Sequence, residues 1–356
     1  MGGHEQLSGE DRRLLRESVR RLLESRWSSE GAVERATDAS KLGDIWRALC
    51  DQGLGALGTE GGAGLRAAHV VVEELGRAAC PAPLLGSVLA NRLLGGEASH
   101  QARAFLEKVH VGEASVGFAL GGYDGDRAAG EVAWVDGRLV GRAAFAEGAL
   151  GASCFLVLLS DPGAVAIVEA GAAGLGVQFT PGLGINPLSE LTFDCEAPLV
   201  FEVASRALTQ AALVARLACA ARALGAAQRA FDLAVEWAKL RRQFGRVIGE
   251  FQALQHKLAD CLIRLDGSRL LIDSAADAHD RGDEAWPVFA SAALAFAGPA
   301  LRQGLLETHH ALGAVGYAEE HEAPRHFRGA HVDLVRFGGA ARARAELSDH
   351  LLGPIG

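Results

Sequence analysis

The chain has 356 residues, 49% of them hydrophobic, and a formal net charge of -9 at pH 7. This length and composition indicate a folded protein of two or three packed units, not a disordered chain. The negative charge excludes a general binder of nucleic acid or of anionic membranes, because both depend on basic surfaces, but it leaves room for a local basic pocket.

The cysteines and the N-terminal segment point to a cytoplasmic protein. The six cysteines are scattered and form no CxxC pair, which is typical of reduced, buried thiols. The first residues are charged and have no apolar signal core. The apolar stretch "VFASAALAFAGPAL" is too short to span a bilayer and contains Pro299, so we expect no membrane segment.

Residues 1–110 are predicted to form an N-terminal helical domain. Ser8 is expected to cap a first helix, "GEDRRLLRESVRRLL", whose apolar residues share one face. The stretches "KLGDIWRALCDQGL" and "AAHVVVEELGRAAC" predict two more helices. Pro81 and Pro83 are expected to open a fourth helix, since proline is favoured at helix starts.

Residues 111–204 are predicted to form a small antiparallel β domain. Short runs rich in Val, Phe and Leu, such as "CFLVLLSD" and "AVAIVEA", are separated by Asp, Gly and Pro. The "VDG" in "EVAWVDGRLVG" is a hairpin signal. Several short strands at this spacing are typical of a compact sheet.

Residues 205–356 are predicted to form a four-helix bundle. Three long stretches are rich in Ala and Leu, and "PRHFRGAHVDLVRFGGAARARAELSDHLLG" is expected to be the fourth helix. The fold class is therefore mainly α with a small β domain between two helical parts.

Common cofactor and metal motifs are missing from the sequence. Neither GxGxxG after a strand, nor GxxxxGK[ST], nor HExxH occurs. His309 and His310 are adjacent, so on a helix they point in different directions and are poor joint metal ligands. We expect both to be ordinary hydrogen-bonding histidines.

Two stretches resemble a known family. The first, "WAKLRRQFGRVIGEFQALQHKLAD", contains Arg-x-Gln-Phe-Gly followed by a Phe-Gln and a Gln-His pair. The second is "HHALGAVGYAEEHEAPRHFRGAHVDLVRFGG". With the order of helical domain, β domain and bundle, they resemble the acyl-CoA dehydrogenase family over essentially the whole chain. "EELGRAACPAPLLGS" is similar to the steroid-catabolic branch of that family.

The resemblance implies an FAD site at a subunit interface. In the family, the β domain of one subunit holds the flavin ring, and the bundle of its neighbour holds the pyrophosphate and adenosine. By resemblance, Arg241 and Gln243 would meet the pyrophosphate, since a guanidinium can neutralise that anion with paired hydrogen bonds. Phe244 would pack beside it, and Gly245 would end the helix.

The adenosine side of the implied FAD site involves two segments. Phe251 and Gln252 would line it from the first, and His310, Gly313 and Ala314 from the second. The family commonly has Gln where this chain has His310. An alternative reading of the first segment is that its arginines are solvated cations at a helix end, where they complement the helix dipole.

The sequence departs from the family at the flavin-ring loop. The family usually has Thr-Glu-Pro and then Gly-Ser-Asp there. This chain has "FALGGYDGDRAAG" at residues 118–130, in which Tyr123 and Asp124 are the only polar side chains near the start. The departure implies that the chain holds a flavin ring poorly with its own β domain.

A second departure concerns the catalytic base. Removal of the α-proton of a CoA thioester needs a carboxylate with a raised pKa. The family supplies it as Glu from one of two places, which align with Phe337 and with Ala215, beside Arg216. Neither side chain accepts a proton. Asp333, about one turn before Phe337, is the least unsuitable substitute.

The two departures fit heterotetrameric (α2β2) members of the family, in which one chain carries the base and the other completes its FAD site. The chain would then be the base-lacking subunit of an FAD-dependent acyl-CoA dehydrogenase. It would desaturate a steroid-derived or other bulky acyl-CoA and pass electrons to an electron-transfer flavoprotein. A homotetramer that uses Asp333, a flavin monooxygenase of the same fold, and a non-enzymatic protein that no longer binds FAD are the alternatives.

Overall fold

The computed structural model describes residues 7–29, 31–59, 64–96, 99–120, 130–159, 163–180, 187–196 and 199–353. Its N-terminal part is helical: α1 Gly9–Arg26, α2 Ala32–Ala36, α3 Ala39–Cys50, α4 Leu65–Arg77, α5 Leu84–Leu94 and α6 His100–His110. Ser8 caps α1 as predicted, because its side chain accepts from the backbone N–H of Asp11, whose carboxylate bonds back to Ser8. Pro83 precedes α5, also as predicted.

The middle part is a mixed sheet. Its strands are β1 Val116–Ala119, β2 Val132–Val135, β3 Arg138–Glu147, β4 Cys154–Leu159, β5 Ala164–Glu169, β6 Leu175–Phe179, β7 Leu188–Glu196 and β8 Leu199–Glu202. The order is β6-β7-β3-β1-β4-β5-β8, with β2 paired to β3. All pairs are antiparallel except β1 with β4, which is parallel, so the expectation of a purely antiparallel sheet was wrong. The sequence reading also missed β6.

The predicted hairpin at "VDG" is confirmed. Asp136 and Gly137 connect β2 to β3, with φ of 49° and 81°. Two successive residues of positive φ match the right-handed twist of the two strands they join.

The C-terminal part contains five helices: α7 Ser205–Leu240, α8 Gln252–Asp280, α9 Trp286–Leu312, α10 Ala323–Val335 and α11 Gly339–Leu352. The prediction of one unbroken fourth helix was wrong. A short turn, Arg336–Gly338, separates α10 from α11, and φ is positive at Phe337, Gly338 and Gly339 (56°, 81° and 52°). A right-handed helix cannot pass through three such residues.

Two apolar cores hold the parts together. Every residue of β4 is buried, and alternate side chains enter different cores because neighbours on a strand point to opposite faces. Leu156 joins the N-terminal helices and the bundle, whereas Phe155 packs within the β domain. Helix α7 is central to the larger core. By length and composition it could cross a membrane, but 83% of its most apolar window is packed inside the protein.

Candidate functional site

The segment after α7 is a tight hairpin that projects from the end of the bundle. Helix α7 ends at Leu240, and β9 (Arg242–Gln243) then pairs with β10 (Arg246–Val247). Phe244 and Gly245 form the two-residue turn, with φ of 53° and 79°. The expectation that Gly245 ends the helix was therefore wrong, because this glycine supplies the second positive φ of a hairpin turn.

The hairpin side chains are exposed and have few partners in this chain. The phenyl ring of Phe244 is 90% exposed and meets Phe251 edge-to-face, with 6.1 Å between centroids. Arg246 lies over the Phe251 ring at 4.0 Å, and Arg241 over the Trp237 ring at 5.7 Å. None of the hairpin arginines forms an ion pair with a carboxylate in the part of the chain that the structure describes.

Both motif segments lie at this same end of the bundle. Trp237 of α7 and Leu254 of α8 pack against Ala311 and Leu312, which form the last turn of α9. This small apolar cluster fixes the hairpin relative to the end of α9. The residues that the resemblance assigned to FAD from two distant stretches therefore belong to one region, which we call the bundle-end surface: Arg241, Gln243, Phe244, Phe251, Gln252, His310, Gly313 and Ala314.

The end of α9 is open at the bundle-end surface. His310, Gly313 and Ala314 are all exposed. Gly313 has a φ of 65°, and no atom lies within 4 Å of where its Cβ would be, so a ligand can approach its backbone closely. His309 points the other way, as predicted: its ring is buried, its Nδ1 lies 3.0 Å from the Leu305 carbonyl, and burial lowers its pKa.

The bundle-end surface fits one half of a site for an anionic dinucleotide. It offers unpaired guanidinium groups, an amide, two aromatic rings and an open glycine backbone. All of these are exposed except the half-buried Phe251, so the residues that the structure describes do not enclose a ligand there. Enclosure would require a second surface.

A second cluster lies deep inside the molecule, where β3, α7 and α10 meet. Arg222 of α7 donates from Nε and Nη2 to Asp333 of α10, at 2.8 and 2.7 Å. It also donates from Nη1 and Nη2 to Glu147, the last residue of β3, at 2.5 and 2.9 Å. Arg336 pairs with the same Glu147 and donates to the Phe145 carbonyl at 3.1 Å. All four charged side chains are buried.

The charges of this buried ion cluster alternate and sum to zero. Burial acts to raise the pKa of Glu147, but Arg222 and Arg336 outweigh it and lower that pKa to about 2. Burial raises the pKa of Asp333 against the attraction of Arg222. Ligand atoms of Glu147, Asp333 and Cys219 lie within 4.8 Å of one another. Two guanidinium groups share that space, so we assign the cluster to ion pairing and not to a metal.

The three candidate base positions lie beside this cluster or on the same helix. Phe337 sits in the left-handed turn after α10, with Arg336 over its ring at 4.5 Å. Ala215 is fully buried on α7, and Arg216 next to it holds Glu346 with two contacts of 2.8 Å. Asp333 is a carboxylate, but both of its oxygens accept from Arg222, so it is held in an ion pair.

Sequence reasoning missed Glu147, Arg222 and Arg336. A signal for one of them was present: Arg222 lies within the Ala-rich stretch "LACAARALGAA", where a charged side chain on a buried face needs a partner. Its partners come from distant parts of the chain, so the sequence could not identify them. Tyr123 and Asp124 of the flavin-ring loop lie outside the described residues.

Two further clefts lie among the described residues. One of about 330 Å³ lies between α1, α4, α7 and α8. Its arginines face carboxylates, as in the pairs of Arg20 with Glu74 and of Arg77 with Asp232. Between α4, α7 and α10, beside Asp333, is a chamber of only about 20 Å³. The first cleft lacks the largely apolar lining that is typical of small-molecule pockets, and the second is large enough for little more than a water molecule.

One known protein family matches both helical parts of the chain. The N-terminal domain of acyl-CoA dehydrogenase matches residues 9–113, and the C-terminal domain matches residues 203–352. Acyl-CoA dehydrogenase IpdE2 of Mycobacterium tuberculosis is 32% identical over 339 residues, which cover 90% of this chain and 91% of that protein.

Solved structures have the same fold. A variant of the Tcur3481-Tcur3483 steroid ACAD is 28% identical with a TM-score of 0.85, covering 96% of this chain and 97% of that one. The ChsE4-ChsE5 complex from Mycobacterium tuberculosis has a TM-score of 0.84 at 23% identity, covering 98% of this chain and 99% of that one. The second likeness concerns the fold alone.

Proposed function

Because the chain belongs to the acyl-CoA dehydrogenase family, we propose that it is the base-lacking subunit of a heteromeric, FAD-dependent acyl-CoA dehydrogenase. One observation carries the proposal. The side chains suited to an anionic dinucleotide are exposed at the bundle-end surface, while the aligned base positions hold Phe337 and Ala215. The chain therefore offers a site to a neighbour and lacks a base of its own.

The residues present indicate which roles this chain and its partner would each have. Arg241 would neutralise the pyrophosphate of an FAD shared with the partner, and Gln243 would donate hydrogen bonds to it. Phe251 and Gly313 border the adenosine. A bound FAD would supply a hydride acceptor for the β-carbon of the acyl-CoA, and a carboxylate of the partner would remove the α-proton. Asp333 takes no part, because Arg222 engages both of its oxygens.

The proposed partner and substrate rest on relatives. Two of the similar structures are named as pairs of chains, and one of these is called a steroid ACAD. We infer a homologous, base-containing partner subunit, a bulky or steroid-derived acyl-CoA, and an electron-transfer flavoprotein as electron acceptor.

The proposal is tested by the visible absorption spectrum of the chain purified alone and with a base-containing partner. We expect the chain alone to be colourless and the complex to hold one FAD per pair of chains. Arg241→Ala should remove most of the flavin from the complex. Arg302→Ala is the matched control, because Arg302 is exposed on α9 and has no ion pair among the described residues.

The alternatives predict other spectra. A chain that is yellow alone, with one FAD each, would overturn the proposal and reopen Asp333 as a base. Oxygen consumption by the complex without acyl-CoA desaturation would indicate the monooxygenase. A complex that stays colourless would indicate the non-enzymatic protein.

A further inference from the structure

The buried ion cluster joins the sheet to the bundle, beside the apolar core that the two parts share. Glu147 belongs to the sheet, whereas Arg222, Asp333 and Arg336 belong to the bundle. Apolar contact is non-directional, so it tolerates small rotations of one part on the other. An ion cluster with fixed donor and acceptor positions does not, because a shift breaks charge-assisted hydrogen bonds in a buried place.

Arg222 is the bridge of this cluster. Its guanidinium makes four contacts of 2.5 to 2.9 Å, two with Asp333 and two with Glu147. It thereby contacts the sheet and α10 at once from the middle of α7. A lysine has a single ammonium group and cannot hold two carboxylates in this planar, forked geometry.

We propose that Glu147, Arg222, Asp333 and Arg336 form an interdomain clasp that fixes the β domain on the bundle without a cofactor between them. The inference rests on the proposed function in one respect. A chain that holds no flavin ring of its own has no cofactor between its β domain and its bundle. The four charged side chains of the clasp connect these two parts directly. Arg222 is thus a positioning residue, not a catalytic one.

The structure offers a matched control on the same helix. Arg216 is also buried in α7 and also pairs with a carboxylate through two contacts, but its partner, Glu346, belongs to α11 of the bundle. Loss of either arginine removes two charge-assisted hydrogen bonds from a carboxylate, although Glu346 keeps its contact of 2.8 Å with Arg342. Only the loss of Arg222 removes contacts between the sheet and the bundle.

The test is hydrogen–deuterium exchange of the full chain, wild type against Arg222→Met and Arg216→Met. With Arg222→Met we expect amide exchange in β1, β3 and β4 to rise by about tenfold or more, and exchange in α8 and α9 to change little. With Arg216→Met we expect faster exchange in α11 and unchanged strands. Equal, uniform changes in the two variants, or unchanged strands in Arg222→Met, would overturn the clasp.

A milder variant keeps the test decisive where Arg222→Met does not fold. Arg222→Lys retains the charge and one partner, so we expect an intermediate rise in strand exchange. Wild-type exchange in Arg222→Lys would refute the bridging role.

Addition of FAD tests the cofactor-free part of the proposal. Protection of the strands by FAD in the wild-type chain alone would refute a cofactor-free clasp. The flavin count of the complex is a separate readout, so either proposal can fail while the other stands.

Discussion

Phe244 and Phe337 each place a large side chain on a backbone that usually takes glycine. Their φ values of 53° and 56° are left-handed, which costs about 1 kcal/mol or more for a non-glycine residue. One ring is exposed on the bundle-end surface, and the other lies beside the buried ion cluster. The two strained residues therefore border the bundle-end surface and the buried ion cluster. Strained backbone conformations persist where the surrounding structure holds them in place, and they tend to cluster at functional sites.

At Glu147 the cluster makes stability depend on pH. The pKa of this carboxyl is lowered from 4.5 to about 2, although burial alone would raise it. A group whose pKa is lower in the folded state adds to stability above its unfolded pKa and loses that contribution as pH falls through the folded one. We therefore expect Glu147 to contribute to loss of stability between pH 4.5 and about 2.

Urea unfolding of wild type and Glu147→Gln across that pH range measures the contribution of Glu147. Near neutral pH the variant should be less stable by about 3 kcal/mol, because it leaves Arg222 and Arg336 buried with too little negative charge. The difference should shrink as pH falls. Asp333 acts with the opposite sign, since burial raises its pKa, and the variant also removes the part of that rise that comes from Glu147. A difference that is constant with pH would contradict the assignment.

At the scale of elements, two glycines bring α4 and α7 into backbone contact. A Cβ on Gly76 would lie 1.9 Å from the Arg222 carbonyl oxygen, and one on Gly225 would lie 1.8 Å from that of Glu73. A backbone atom cannot move aside as the end of a side chain can. This crossing helps to fix α7, and with it the position of Arg222.

An alanine in place of either glycine should push α4 and α7 apart. We expect Gly76→Ala and Gly225→Ala each to lower the free energy of unfolding by about 3 kcal/mol or more in thermal or urea unfolding. Gly304→Ala is the control, because Gly304 lies within α9 and no atom is within 4 Å of its Cβ position. That substitution should be neutral or stabilising by about 0.5–1 kcal/mol. Similar losses in all three variants would argue against the crossing.

What the sequence could predict depends on how far apart the interacting residues are. Local signals were sufficient for the Ser8 cap and the "VDG" hairpin, which depend on neighbours within a few residues. The sequence pattern did not indicate the break between α10 and α11 at "RFGG", because apolar residues continue on both sides of it. The ion cluster could not be foreseen, since Glu147 and Arg336 are 189 residues apart and nothing local pairs them.

The bundle-end surface could be predicted from the sequence only in part. The resemblance supplied the residues, and the structure places both segments at one end of the bundle through contacts such as Trp237 and Leu254 with Leu312. The sequence alone assigned a helix end to Gly245, because Gly after a helical stretch is typical of a C-cap. Pairing of β9 with β10 requires a turn at that glycine instead.

For the whole molecule, the proposed function divides each FAD site between two different chains. Each partner's flavin is then completed by one bundle-end surface, so a defect in one copy of this chain affects one site. We expect the flavin bound per partner chain to fall in proportion to the fraction of Arg241→Ala chains when they are mixed with wild-type chains during assembly. The fall should be linear because the sites are completed independently.

Absorbance of the purified complexes at several mixing ratios, with the chain ratio checked by mass spectrometry, gives this dependence. Mixing with Arg302→Ala chains should leave the flavin content unchanged. Flavin that is independent of the Arg241→Ala fraction would place the whole site in the partner and remove the role proposed for the hairpin. A fall steeper than linear would mean that one defective chain empties more than one site, which an FAD site completed by a single bundle-end surface does not allow.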